Sequence, residues 1–183
     1  MTKELDDITA FHNHNLYIPS RTIVLRLASG EIDHESADEF IKNIQILEQL
    51  NHDPIRVFLN CPGGSVTDGT AIYSAILACP ALVTGIVLGE ASSMGAHILC
   101  AFDLRQAYPA SRFMLHDGTT EVSGSVRDVE KAVESDRLSR LDQYRILAEA
   151  TGKPAKYWAR KLTNDYYLNA EQALAEGLID EIL

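Results

Sequence analysis

The sequence predicts an α/β domain built around a parallel sheet, and three observations carry that reading. Short β-branched apolar runs alternate with stretches whose apolar residues recur every three or four positions. Glycine-rich turns follow two of the apolar runs. An apolar content of 46% against 23% charged residues is the profile of a globular chain, and 183 residues suit one domain, 1–183. The order strand–helix–strand–helix–strand–helix–strand implies parallel strands joined by right-handed crossovers.

Residues 1–15 are polar and are expected to form a mobile N-terminal segment. Thr22–Ala28 is a β-branched strand. From Ser36 to Leu50, Ala37, Phe40, Ile41, Ile44 and Leu47 line one face of a helix that starts near His34 and Ser36. Ile55–Asn60 is the second strand, ended by Pro62-Gly63-Gly64, and Val66–Ala78 is a helix that stops before Pro80. Leu82–Leu88 is the third strand, Ser93–Ala101 a short apolar helix and Arg112–His116 the fourth strand. A long, highly charged helix then carries an apolar stripe through Val126, Val133, Leu141 and Tyr144 and ends at Gly152, a suitable C′ residue. Ala155–Leu162 and Ala170–Glu176 are short helices, the second framed by Asn169 and Gly177.

The charge balance excludes several functions. With 16 basic and 26 acidic residues the net charge is −10, which disfavours nucleic acid and anionic membrane surfaces as partners. Between Ala75 and Phe102 the only charged residue is Glu90, yet Pro80, Gly85 and Gly89 cut the run below the ~20 continuous apolar residues of a membrane span. Cys61, Cys79 and Cys100 are odd in number and form no CxxC pair, so the expected setting is reducing: the cytoplasm, or a compartment such as a plastid stroma. The N-terminus has no apolar core of a signal peptide.

The chemistry gathers at two turns, Asn60-Cys61-Pro62-Gly63-Gly64-Ser65 and Gly89-Glu90-Ala91-Ser92-Ser93-Met94-Gly95-Ala96. Both follow strands whose carboxyl ends form one rim, where ligands of parallel sheets collect. Ser93 sits between strand and helix with small residues, Ala91 and Gly95, two positions away on either side, the pattern of a nucleophile elbow. Ser is also a favoured N-cap, so the position alone serves either role. The Met94 amide at the helix start is a free donor, and Gly63-Gly64 brings a second amide within reach of an oxyanion. A serine nucleophile needs a base. Of six histidines, His116 stands at a strand end on the same rim, whereas His97, four residues after Ser93, is expected to point into packing. Spacing leaves Asp103, Asp117, Asp165 and Asp180 all open as the carboxylate that orients the base.

At this point the residues resemble the ClpP family, the proteolytic subunits of Clp proteases. NCPGGSVTDGTAIY is similar to the family's N-S-P-G-G-x-V-x-x-G-x-x-I-Y, GEASSMGAHIL to its G-x-A-x-S-M-G-A block, and PASRFMLHDG to its P-N-S-R-x-M-I-H-Q-P block. DYYLNAEQALAEGLIDEIL is similar to its carboxyl end, D-x-F-[ML]-[ST]-A-x-E-A-x-x-Y-G-[LI]-[IV]-D-x-[IV]-L. The four blocks lie in order between about Thr22 and Leu183. The resemblance implies Ser93 as nucleophile, His116 as general base, Asp165 as orienting acid, and the Gly64 and Met94 amides as oxyanion hole. It implies a ClpP/crotonase-like fold with a projecting handle helix, here Ser125–Ala150 within a handle region of about 117–150. It further implies a serine endopeptidase that cleaves unfolded polypeptides inside a chamber made by a homo-oligomeric ring of seven, or two such rings stacked. No cofactor is expected, since ATP belongs to a partner AAA+ unfoldase.

The sequence departs from that family at defined places. Asp117-Gly118 stand where the family has Gln-Pro, Thr163 and Asn164 replace an acidic residue and an Arg used between rings, and Ser125 replaces a Gln of the handle. The segment before the first strand is short and only Leu16–Arg21 is similar. These departures bear on ring stacking and on the unfoldase. They leave a catalytically silent ring subunit as the alternative to an active peptidase, with a crotonase-type acyl-CoA enzyme as a remoter one.

Overall fold

The computed structural model describes residues 2–25 and 27–183, with side chains described from residue 6 onward. Its elements are α1 (Thr2–His14), β1 (Leu16–Tyr17), β2 (Thr22–Val24), α2 (His34–Leu50), β3 (Ile55–Cys61), α3 (Val66–Ala78), β4 (Val83–Ser92) and α4 (Met94–Leu99). They continue as β5 (Leu104–Ala107), β6 (Arg112–Leu115), α5 (Val126–Thr151), α6 (Ala155–Lys161), β7 (Tyr166–Asn169), α7 (Ala170–Glu176) and β8 (Glu181–Ile182). The sheet runs β1-β2-β3-β4-β5-β8, with β6 on β4 and β7 on β6. Its centre is parallel, as the strand–helix alternation requires, and only β1 and β7 run antiparallel to their neighbours.

Three expectations change; the third strand, expected over Leu82–Leu88, is β4 and runs on to Ser92 through the first half of the expected turn, because its end pairs with β6. Residues 2–14, expected as a mobile segment, form α1, and its end is tied to α2: Asn43 Nδ2 donates to His14 O at 2.7 Å and Asn15 Nδ2 to Glu39 at 3.2 Å. The polar composition hid a helix whose anchors are side-chain bonds to another element, which no local pattern reveals. The first strand, expected over Thr22–Ala28, is β2 and covers only Thr22–Val24; Arg26, within the expected strand, lies outside the described residues.

The feature that positions the site is a break in β4. Its first half pairs with β5 through Thr84–Val87, and its last residues, Glu90–Ser92, pair with β6. Between them the β3–β4 register shifts, from Leu59 opposite Val87 to Cys61 opposite Ala91. Asn60 Oδ1 fills the irregularity by accepting from Glu90 N at 3.1 Å. On the other side Val87 O accepts from Tyr108 N at 3.1 Å and from the hydroxyl of the fully buried Ser111 at 3.0 Å, so the carbonyl at the parting of β5 and β6 stays satisfied.

Around this frame α2, α3 and α4 bury Phe40, Ile44, Leu47, Ile72, Ile98 and Leu99 against Ile55, Val57, Leu59 and Val83 of the sheet. β3 alternates buried and open positions, with Ile55, Val57, Leu59 and Cys61 turned inward. The helix limits follow the capping chemistry. Asp33 and Ser36 form a reciprocal box at the start of α2, and Asn169 and Gln172 form one at α7. Ser125 caps α5, which ends on Gly152 at φ 70°. Among the described residues no helix is long and apolar enough to cross a membrane.

Candidate active site

The end of β4 turns directly into α4 at Ser93, and the turn is strained. Ser93 has φ 52° and ψ −123°, a conformation that L residues with a Cβ avoid. The surroundings hold it there. Ser93 N donates to Met114 O at 2.7 Å, which continues the β4–β6 ladder by one step. Ser93 O accepts from Ala96 N at 3.0 Å and from His97 Nδ1 at 3.0 Å. Gly95 lets α4 approach β3, since a Cβ there would come within 2.7 Å of Cys61 O. The Ser93 hydroxyl makes no capping bond to α4. The cap role open to it in the sequence is thus not taken up, and its partner is His116.

His116 follows β6, and Ser93 Oγ lies 2.8 Å from its Nε2. The register explains this meeting. Ser92 is paired with Met114 in the parallel β4–β6 ladder, so both chains leave the sheet side by side. On the other side of β6, antiparallel β7 pairs Leu115 with Tyr166, and one step further along the register His116 stands opposite Asp165. Asp165 Oδ1 is 3.8 Å from His116 Nδ1, and its carboxylate is 55% exposed. Tyr167 Oη donates to the other carboxylate oxygen at 3.4 Å. β7 is held in place through Tyr166, whose hydroxyl donates to Glu176 Oε1 at 2.7 Å. Burial works to raise the Glu176 pKa, but hydrogen bonds from Lys153, Tyr166 and Tyr157 outweigh it and hold the carboxyl below its usual range.

The other carboxylates left open by spacing are engaged elsewhere. Asp103 accepts from Val83 N at 2.7 Å. Asp180 makes paired bonds with the Arg105 guanidinium, which hold its pKa low against the opposing effect of burial. Asp117 accepts from Tyr144 Oη at 2.5 Å. Of the four, Asp165 is the one that faces the His116 ring.

The first glycine turn closes over the serine. Gly63 and Gly64 have φ of 111° and 139°, open to glycine alone, and a Cβ on Gly63 would lie 2.7 Å from Ser93 Cβ. Ile32 bridges this turn by donating to Gly63 O at 2.7 Å and accepting from Ser65 N at 2.9 Å. That pattern uses the residues flanking Gly64 and turns the Gly64 amide away from Ile32. Met94 N, at the first position of α4, has no carbonyl within its own helix to bond.

His97 is where the sequence placed it, in the interior at 2% exposure. Its Nδ1–H donates to Ser93 O, and among the described residues Nε2 has no hydrogen-bond partner. Burial pushes the imidazole pKa down to about 4, against the bond to Ser93 and with the help of the His116 charge. It is therefore neutral at ordinary pH, and its hydrogen bond goes to the Ser93 carbonyl while the Ser93 hydroxyl bonds His116. The four-residue spacing on a helix is the sequence signal for its bond back to the Ser93 carbonyl, a contact that expected packing alone does not include. Burial likewise raises the Cys61 thiol to about 11 and Cys100 to about 12. Among the described residues no group of His, Cys, Asp and Glu is placed to hold a metal ion. A cavity of about 240 Å³ opens beside Asp117, between the loop after β6 and α5, with Val66, Gly118, Arg140 and Gln143 on its walls. A larger one of about 610 Å³ lies away from the serine, between α1 and α2.

Comparison with known proteins places the chain in a family and the domain in a fold. The family model described as Clp protease matches residues 10–183. The ATP-dependent Clp protease proteolytic subunit 2 of Pseudomonas aeruginosa is 35% identical over 159 residues, which span 85% of this chain and 78% of that protein. Among solved structures, a mutant of ClpP1 from Listeria monocytogenes superposes with a TM-score of 0.83 at 28% identity, covering 91% of this chain and 92% of the other. The match runs through both glycine turns, β6, β7 and α7, and the fold is the ClpP/crotonase-like one. This chain is a member of the ClpP family.

Proposed function

We propose that the chain is a serine endopeptidase of the Clp type, with Ser93 as nucleophile, His116 as general base and Asp165 as the carboxylate that orients His116. The observation that carries this is the 2.8 Å contact of Ser93 Oγ with His116 Nε2 on a strained strand-to-helix turn. Strain that projects a hydroxyl towards an imidazole serves nucleophilic catalysis and has no use in a cap. The reaction is acyl transfer. His116 Nε2 takes the Ser93 proton as Oγ bonds to a peptide carbonyl carbon, and the carbonyl oxygen becomes an oxyanion. The Gly64 and Met94 amides donate to it; one such donor is worth ~3–4 kcal/mol in other serine proteases. The tetrahedral species collapses as His116 passes its proton to the leaving amine, and the acyl group stays on Oγ. Water, deprotonated by His116, then releases the acid and restores Ser93.

On this reading the working unit is a ring of seven copies, single or stacked in pairs through α5, that encloses the serines. The substrates are unfolded polypeptides, and a separate AAA+ unfoldase supplies the ATP-dependent step. The second reading is a silent ring subunit. It is favoured by one observation, the gap of 3.8 Å between His116 and a largely exposed Asp165. Hydrolysis of unfolded casein and of a short fluorogenic peptide by the assembled wild type separates the two. Cleavage by wild type that is abolished in Ser93→Ala supports the peptidase. Absence of cleavage with any partner subunit supports the silent ring.

A further inference from the structure

Of the 26 residues of α5 only Tyr144 and Leu147 are buried, so the helix joins the body of the domain at its C-terminal third. Residues 126–143 project from it and carry exposed apolar side chains such as Val133 and Leu141. At the point of departure Tyr144, 7% exposed, donates its hydroxyl to Asp117 Oδ1 at 2.5 Å. The Arg140 guanidinium, one turn earlier, stands 3.8 Å from the other carboxylate oxygen of the same residue. Asp117 directly follows His116, at the end of β6 where the ladder with β7 has stopped.

We propose that Asp117 and Tyr144 are positioning residues, a polar link through which α5 fixes His116 against Ser93. On one side His116 follows the last residue paired in the β6–β7 ladder. On the other, the chain from Asp117 to Ser125 forms no helix or strand. Without the bond to Tyr144 the hold on the peptide after His116 from the α5 side falls to the longer Arg140 contact. A short, charge-assisted O–H···O⁻ bond is the strong kind, and both partners sit at fixed points, one at a strand end and one at the root of a helix. The carboxylate supplies something that a side chain without charge lacks, attraction for Arg140 and Tyr144 together. The projecting part of α5 is long and has no buried residue of its own, so its orientation reaches His116 at this root.

This link rests on the reading of His116 as the base, and the test keeps the two apart. The rate of fluorophosphonate reaction at Ser93 is measured in the assembled full chain, together with crystal structures of the variants. Tyr144→Phe keeps the buried ring and removes the hydroxyl, and is expected to react about 10- to 100-fold more slowly, the order that a misplacement near 1 Å costs. Asp117→Ala, which also loses the Arg140 contact, is expected to lose at least as much, and the double variant to be no slower than Asp117→Ala, since the Asp117–Tyr144 bond is already absent there. Asp117→Asn, which retains an oxygen for Tyr144 but loses the attraction for Arg140, is expected to recover part of the loss. Tyr144→Phe reacting at the wild-type rate overturns the proposal. If wild type itself does not react, the functional reading fails, and the Tyr144→Phe structure decides the link alone. A Ser93 Oγ to His116 Nε2 separation opened beyond hydrogen-bond reach supports it, and an unchanged separation overturns it.

Discussion

His116 and Asp165 face each other across the open end of the β6–β7 pair, with 3.8 Å between Nδ1 and Oδ1. That is beyond the 2.7–3.2 Å range of N–H···O bonds, and water reaches the carboxylate. The carboxylate still orients the ring, with the hydrogen of the neutral imidazole on Nδ1, but weakly, because exposed pairs are screened. Asp165→Asn is therefore expected to lower kcat/KM for a peptide substrate on the order of 10- to 100-fold. That is less than the ~10⁴-fold loss found where a triad carboxylate is buried and bonded. A loss near 10⁴-fold contradicts the open geometry, and no loss removes Asp165 from the site.

The glycine turn makes a prediction with two separable halves. A Cβ on Gly64 would stand 2.4 Å from Ile32 N and 2.5 Å from Ile32 O, backbone atoms that cannot give way. Gly64→Ala is expected to destabilise the domain, by about 1–3 kcal/mol from the backbone conformation alone. A Cβ on Gly63 meets Ser93 Cβ at 2.7 Å and Oγ at 3.1 Å instead. Gly63→Ala, at φ 111°, carries the same backbone cost and is in addition expected to cut the fluorophosphonate rate at Ser93, under conditions where the variant stays folded, by roughly 100-fold or more. Urea unfolding and labelling rates, measured on both variants, check the division.

Buried His97 predicts how stability responds to acid. Its pKa is about 4 in the folded chain against 6.5 for a free imidazole. Between those values the unfolded chain takes up a proton that the folded chain refuses, so stability falls as pH drops from 6.5 towards 4 and is insensitive to this group above 6.5. The full shift corresponds to roughly 3 kcal/mol. His97→Phe is expected to flatten this acid limb in urea unfolding measured at pH 4.5 and pH 7. A limb of unchanged slope contradicts the assignment.

The three thiols should differ in reactivity. Cys61 and Cys100, raised to about 11 and about 12 by burial, hold only about a thousandth or less of thiolate at pH 8. Cys79 is partly exposed, though burial raises it too. Iodoacetamide on the folded protein is expected to modify Cys79 first, with all three modified in urea, as read by mass spectrometry. Early alkylation of Cys61, beside the glycine turns, contradicts this order.

Much of the fold is legible where local chemistry decides it. The limits of α3 and α7 follow from Ser65 and Asn169 as caps and from the Cys79-Pro80 and Gly177 endings. Ser93 and His116 are legible as residues at strand ends on one rim. What the sequence conceals is pairing. β5 and β7 are four-residue strands, and β8 has two residues; each is defined by its neighbours instead of by periodicity. The break of β4 between β5 and β6 is a register event between distant segments. Asp165 illustrates the consequence: spacing leaves it equal to Asp103, Asp117 and Asp180, and the β6–β7 register places it opposite His116. α1 escapes for a similar reason, because its hold on the domain includes the bonds of Asn43 and Glu39 of α2 to His14 and Asn15 and the packing of Phe11 on Tyr17.

The central claim is that Ser93 is a nucleophile activated by His116. It is tested most directly by treating the folded protein with a fluorophosphonate and mapping the modified residue by mass spectrometry. The account predicts a single adduct on Ser93 in wild type and none in Ser93→Ala or His116→Ala. An unmodified Ser93, or an adduct that survives His116→Ala undiminished, contradicts it.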